Sequence, residues 1–322
     1  MTAPFSRDTP NADFVYALAI APGEASMEPG LILAARATGL YGSTDNGVTW
    51  RSVYDSLNLD GPLMTTAVAV APDGNDDSTM YIFAGVMGGV MRSSDGGESW
   101  HIAPLPTPPP TISALVISPD FMHDGTLIIG TFEDGVFRSE DRGRLWTPGN
   151  FGLLDLNVLS LAISPGFAQD ETLFAGTDSG IFHSTNGGRA WHELDFPMDF
   201  APVLSLTTSP NYLEDGLVFA GTEAFGLFRS TDHGHTWTRL GESVVTRSVN
   251  QIILAPLYPE DSSILVLHND TVLVSRDSGD TWSPWKDAHS EAQGVAVVAA
   301  PHGLEAETSL FVGVLDGRIE RL

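Results

Sequence analysis

The chain contains no cysteine, so neither a disulfide framework nor a thiolate metal site is open to it. Basic residues are scarce. Lysine and arginine number 15 against 41 aspartates and glutamates, and Lys286 is the one lysine. The formal charge of −26 repels phosphate backbones and anionic membranes, which argues against nucleic acid as a partner. It fits a heavily solvated surface or a basic partner. No apolar run approaches the roughly eighteen residues of a membrane-spanning helix, so no membrane insertion is expected. The opening MTAPFSRDTPNADF lacks a basic stretch followed by an apolar one, so no secretory leader is read there, and the compartment is left open. Helical periodicity of useful length is missing as well, which points away from a helical fold.

What is present is apolar material, at 42% of residues, punctuated throughout by 33 glycines and 21 prolines. That spacing suits many short strands joined by turns. One octapeptide recurs six times: STDNGVTW (43–50), SSDGGESW (93–100), SEDRGRLW (139–146), STNGGRAW (184–191), STDHGHTW (230–237) and SRDSGDTW (275–282). Its tryptophans Trp50, Trp100, Trp146, Trp191, Trp237 and Trp282 are separated by 50, 46, 45, 46 and 45 residues, and they account for six of the seven in the chain. The residue types suit a hairpin corner. The side chain of Asp45, Asp95, Asp141, Asn186, Asp232 or Asp277 accepts backbone N–H groups across the turn. The glycine two positions on supplies φ > 0, and the tryptophan covers the junction.

Upstream of each octapeptide lie three more apolar segments in fixed order, such as VLSLAISP, TLFAGT and GIFHS before STNGGRAW, and a more polar segment follows the tryptophan. Four strands in about 45 residues is the content of one β-propeller blade. Inner strands beginning near residues 15, 67, 112, 158, 203, 249 and 294 make seven repeats, and residues 1–322 are read as a single all-β, seven-bladed propeller domain. The last repeat ends before its octapeptide. Its fourth strand is expected from the N-terminal segment around Pro4–Asp8, with Phe5 in place of tryptophan, which would leave no dangling edge.

The S-x-D-x-G-x-x-W element resembles the Asp box, or BNR repeat, of sialidases, sortilin-type receptors, tandem-propeller xyloglucanases and photosystem II assembly factors. The resemblance covers nearly the whole chain. It implies a propeller without choosing a function. In sialidases the box lies away from the active site, so by resemblance its aspartates are structural here.

A propeller binds ligands on the face where its channel opens, which in this strand order carries the second-to-third-strand loops and the connections between blades. Arg36, Glu133, Asp178, Glu223, Phe225, His268, Asp270 and Asp316 are placed there, with Phe200 on the connection LDFPMDFAP (194–202). Phe196, Met198 and Phe200 of that connection are either an exposed anchor or a plug folded over the channel. Carboxylates from successive blades suggest a cationic or polyhydroxyl ligand, with calcium as a possible oxygen-ligated ion and no other cofactor. The three arginines and the Arg-Ile-Pro start expected of a sialidase are missing. The nine histidines form no zinc-binding spacing, and no Ser-centred nucleophile elbow is present. The sequence therefore points to a non-catalytic scaffold, monomeric or part of a complex, presenting loops to a protein or saccharide. The competing reading is a glycoside hydrolase with paired carboxylates on the same face.

Overall fold

The structure is a computed structural model and describes residues 13–21, 30–72, 80–106, 108–286 and 294–322. Seven small antiparallel sheets stand around an axis, each a chain-order meander. In blade 1 the strands are Val15–Ala21, Leu31–Arg36, Gly39–Ser43 and Arg51–Ser52. The innermost strands of the other blades are Thr65–Pro72, Thr111–Ile117, Val158–Ile163, Val203–Thr208, Val249–Leu254 and Val295–Ala299. The seventh sheet has three strands among the described residues, ending in Ile319–Arg321. The fourth strand expected from Pro4–Asp8 and Phe5 lies outside them.

The core sits between blades rather than at the axis. Second strands are buried on both faces, as in blade 1, where Ile32, Leu33, Ala34 and Ala35 are all fully buried. This is why they read as unbroken apolar runs instead of alternating ones. Each interface has its own apolar cluster, such as Phe83, Phe121 and Phe137 between blades 2 and 3, or Phe174, Tyr212 and Phe228 between blades 4 and 5. Blade 7 meets blade 1 in the same way. Val15 packs with Val297 and Ala34, and a side chain on Gly313 would come within 2.7 Å of Val15 Cβ.

Every innermost strand carries a register shift near its start, at its second residue in six blades and at its third, Ser113, in blade 3. Such a bulge bends the strand and releases a backbone carbonyl from the ladder. In blades 3 to 6 that carbonyl is recovered by the preceding blade: Thr66 Oγ1 donates to Ile112 O (2.6 Å), Ser113 Oγ to Val158 O (2.5 Å), Ser160 Oγ to Val203 O (2.9 Å) and Ser205 Oγ to Val249 O (2.8 Å). The inner strands enclose a narrow channel of about 250 Å³.

The octapeptide turns follow one pattern. In the first, Ser43 Oγ donates to Asp45 Oδ1 (2.8 Å) and accepts the Gly47 N–H (2.9 Å). Asp45 in turn accepts the Thr49 N–H and hydroxyl at 2.8 and 2.5 Å. Two successive residues, not glycine alone, take positive φ. Asn46, Arg142, His233 and Ser278 lie near +60°, each followed by glycine. The glycine is needed for space as well, since a Cβ on Gly143 would meet the Phe83 ring of the preceding blade at 2.8 Å.

Candidate functional site

The two faces of the ring differ in what their acidic residues do. On the face of the octapeptide turns, Asp124, Asp170 and Asp215 close the four-residue helices Phe121–Asp124, Phe167–Asp170 and Tyr212–Asp215. One oxygen of each accepts a serine hydroxyl (Ser118, Ser164, Ser209) and the other a backbone N–H, so these carboxylates are committed to their loops. Asp45, Asp232 and Asp277 are held down to about 2 by the hydroxyl and then the N–H of Thr49, Thr236 and Thr281. These groups are buffered by structure rather than poised for ligand.

On the opposite face the second-to-third-strand turns and the blade connections place Glu133, Asp178, Glu223, Asp270 and Asp316 in solvent. Asn157, which sequence reasoning passed over, ties two of these loops together. Its Oδ1 accepts the Glu133 N–H at 2.9 Å and its Nδ2 donates to Asp178 Oδ2 at 3.0 Å. The Glu223 N–H donates to Pro202 O (2.9 Å), fixing the end of the connection that carries Phe200. Asp316 is drawn below the ordinary carboxylate range by the backbone N–H and then the side chain of Arg318. Asp270 accepts the Asn269 side chain at 2.7 Å.

Three of the remaining residues placed on this face by sequence, Arg36, Phe225 and His268, turn inward. Arg36 is mostly buried, paired with Asp13 at 3.3 Å, and lies 4.9 Å from the Tyr41 ring centroid. Phe225 packs against the core of blades 4 and 5. His268 Nε2 accepts the Arg247 N–H at 3.0 Å; burial, and then the Arg247 charge, lowers its pKa. The 194–202 connection divides. Phe196 packs edge-on against Phe228 and Trp237, with ring centroids 4.9 and 5.4 Å away, and Met198 joins the same cluster. Neither covers the channel. Phe200 points out, 85% exposed, with φ +50°.

The face also exposes apolar side chains that sequence reasoning underweighted. Met87 and Leu315 stand in second-to-third-strand turns and Phe132 ends the second strand of blade 3 beside one, while Phe14 and Leu156 lie on stretches leading into inner strands. Phe132 is next to Glu133 and Leu315 next to Asp316, so apolar and acidic groups are interspersed on this face. The available signal was an apolar residue inside a turn, where neither strand alternation nor φ demands one. Among the described residues no three His, Cys, Asp or Glu side chains come together in a set that would hold a metal ion. No helix there is long and apolar enough to cross a membrane.

No protein-family model matches the chain, and no curated protein matches it significantly. Solved structures do resemble it. The extracellular domain of a one-component system from B. thetaiotaomicron is 15% identical with a TM-score of 0.69, over 97% of this chain and 38% of its own. YCF48 bound to D1 peptide is 17% identical with a TM-score of 0.68, over 97% of this chain and 92% of its own. The GH74 xyloglucanase from Xanthomonas campestris is 17% identical with a TM-score of 0.69, over 96% of this chain and 52% of its own. The chain thus spans well under half of the first protein and about half of the xyloglucanase. At such identities the shared property is the fold, a seven-bladed β-propeller.

Proposed function

We propose that the chain is a non-catalytic scaffold that holds a polypeptide partner on the face opposite the octapeptide turns, and that the partner segment is basic with an apolar anchor. The observation that carries this is the mixture of exposed Phe132, Phe200, Met87 and Leu315 with solvent-exposed carboxylates on one rim. Aromatic side chains standing in solvent are what interface hot spots are built from. The surrounding carboxylates select for lysine and arginine and speed encounter. YCF48 bound to D1 peptide shares the fold across nearly its whole length, which supports a protein partner. The recurrent Ser–Asp–Gly turn supports counting the chain among the Asp-box propellers.

The test is an array of short peptides in which an apolar residue is flanked by lysines in one set and glutamates in the other, followed by titration calorimetry on the intact protein. Binding of the basic set is expected, weakening as salt is added and falling about tenfold or more in Phe200→Ala, as for a central anchor. Equal binding of both sets, or no effect of Phe200→Ala and Phe132→Ala, would overturn the reading.

A glycoside hydrolase is the second reading, supported by the fold shared with the xyloglucanase. Such an enzyme needs a carboxyl raised in pKa to act as acid. The carboxyls displaced from ordinary values here, Asp316 on this face and the turn aspartates on the other, all move down. Release of reducing ends from xyloglucan, abolished by Glu223→Gln or Asp178→Asn, would replace the scaffold reading with this one.

A further inference from the structure

The rim between blades 2 and 3 holds a cavity of about 470 Å³ that neither the docking face nor the turns explain. Arg92, Ser94 and His101 of blade 2 line it, together with Gly143 and Arg144 of blade 3. In a chain of charge −26, the cavity is walled by two guanidinium groups, an imidazole and a hydroxyl, with no carboxylate in the lining.

Arg92 is the unusual member. It occupies the position before the turn serine, as Arg138 and Arg229 do in blades 3 and 5. Those two reach across to the next blade: Arg138 Nη1 donates to the Gly187 carbonyl, and Arg229 Nη1 to the Ser278 carbonyl at 3.2 Å. Each acceptor is the fourth residue of the following octapeptide, which for Arg92 would be Arg142. Arg92 makes no such bond to the Arg142 carbonyl, and the Arg142 side chain itself runs to Met122 O at 2.8 Å. Arg92 itself lies alongside Gly143, where an added Cβ would be 3.7 Å from its Cδ. It has no hydrogen bond or ion pair among the described residues, and its Nε is shut off from water without an acceptor. Nε is likewise unpartnered in Arg138 and Arg229, but their terminal nitrogens are anchored. The terminal nitrogens of Arg92, unlike those of Arg138 and Arg229, are left to water and to whatever enters the cavity.

The geometry points to a binding site for a small multivalent oxyanion, held by Arg92 from within, with Arg144 and His101 at the mouth and Ser94 as an additional donor. Guanidinium forks match the spacing of oxyanion and carboxylate oxygens. The Arg144 backbone N–H also donates to Asp141 Oδ1 at 3.0 Å, which fixes the base of its side chain. A tetrahedral inorganic anion and a small polycarboxylate share this chemistry, and the cavity has room for either.

The test is a thermal-shift titration of the intact protein with sodium sulfate, sodium phosphate and sodium citrate, each against sodium chloride at equal ionic strength. A saturable rise in melting temperature is expected with at least one of the three, and the probe that gives it identifies the anion class. Because such salts also stabilise proteins nonspecifically, the decisive comparison is Arg92→Gln, which should weaken the apparent affinity about tenfold or more, with Arg92→Lys recovering part of it. Arg144→Gln, exposed and outside the core, should weaken it even if Arg92→Gln fails to fold. Non-saturating shifts, or shifts unchanged in Arg92→Gln and Arg144→Gln, would overturn the proposal.

Discussion

The six octapeptides show how little chemistry a turn needs to be specified. Serine bridges the aspartate and the glycine N–H, and the aspartate takes the remaining donors of the corner. Because these hydrogen bonds favour the ionised form, the aspartates must be forced to protonate in the folded state. Their folded values, about 2 for Asp45, Asp232 and Asp277, lie below the ordinary 3.8. Their contribution is therefore complete above about pH 4 and is lost as pH falls from 3.8 toward 2. Asp277→Asn should lower stability at neutral pH and flatten the acid limb of a urea-denaturation series; an unchanged slope would show that the turn hydrogen bonds do not couple to protonation. Asn186 in blade 4, which has no charge to lose, already tells that the amide is tolerated there. His183 behaves with the same sign for another reason. It is buried, stacked 4.6 Å from the Phe174 centroid, and neither ring nitrogen has a partner. Burial, and then the neighbouring His192, His235 and His233, lowers its pKa to about 4 from 6.5. Unfolded chains take up that proton first, so stability drains away as pH falls from 6.5 toward 4. His183→Phe should remove that slope, which is on the order of 3 kcal/mol across the window.

At the scale of the strand, the device that joins blades is the bulge and the hydroxyl that answers it. Ser205→Ala would leave the Val249 carbonyl without its cross-blade donor, and a loss of about 1–3 kcal/mol in unfolding free energy is expected. The adjoining glycines do complementary work, because a Cβ on Gly130 would sit 2.5 Å from Val158 Cγ1. Gly130→Val should cost about 1–3 kcal/mol or more by overpacking, and denaturation melts of the two variants would rank these effects. The strands, their order and their content were legible in apolar runs and turn residues. The bulges were not. A skipped residue changes only the partner across the ladder, and Thr66, Ser113 and Leu159 look like ordinary members of their strands.

For the whole molecule, charge is the property with the clearest consequence. A closed ring carrying −26 repels itself, and added salt screens that repulsion over a Debye length of about 8–10 Å. Melting temperature is expected to rise with sodium chloride while affinity for a basic peptide falls. Calorimetry at a series of salt concentrations checks both, and a melting temperature that falls with salt would mean that local ion pairs outweigh the net repulsion. The opposing trends belong together, since the carboxylates that destabilise the free ring are the ones a cationic partner would neutralise.

The repeat determined the architecture without outside help. An octapeptide at a spacing of about 45 residues requires the same corner each time, and the apolar runs between corners have nowhere to bury except against the next blade. What only the tertiary structure decided is the use of individual side chains on the open face. Glu133, Asp178, Glu223, Asp270 and Asp316 stand in solvent, while Arg36, Phe225 and His268 from equivalent loops turn inward. Phe196 and Phe200, four residues apart on one connection, end in the core and in solvent respectively. Local sequence sets where a loop begins and ends. Which of its side chains is buried depends on the neighbouring blade that meets it, and that neighbour is brought alongside by ring closure rather than by adjacency in the chain.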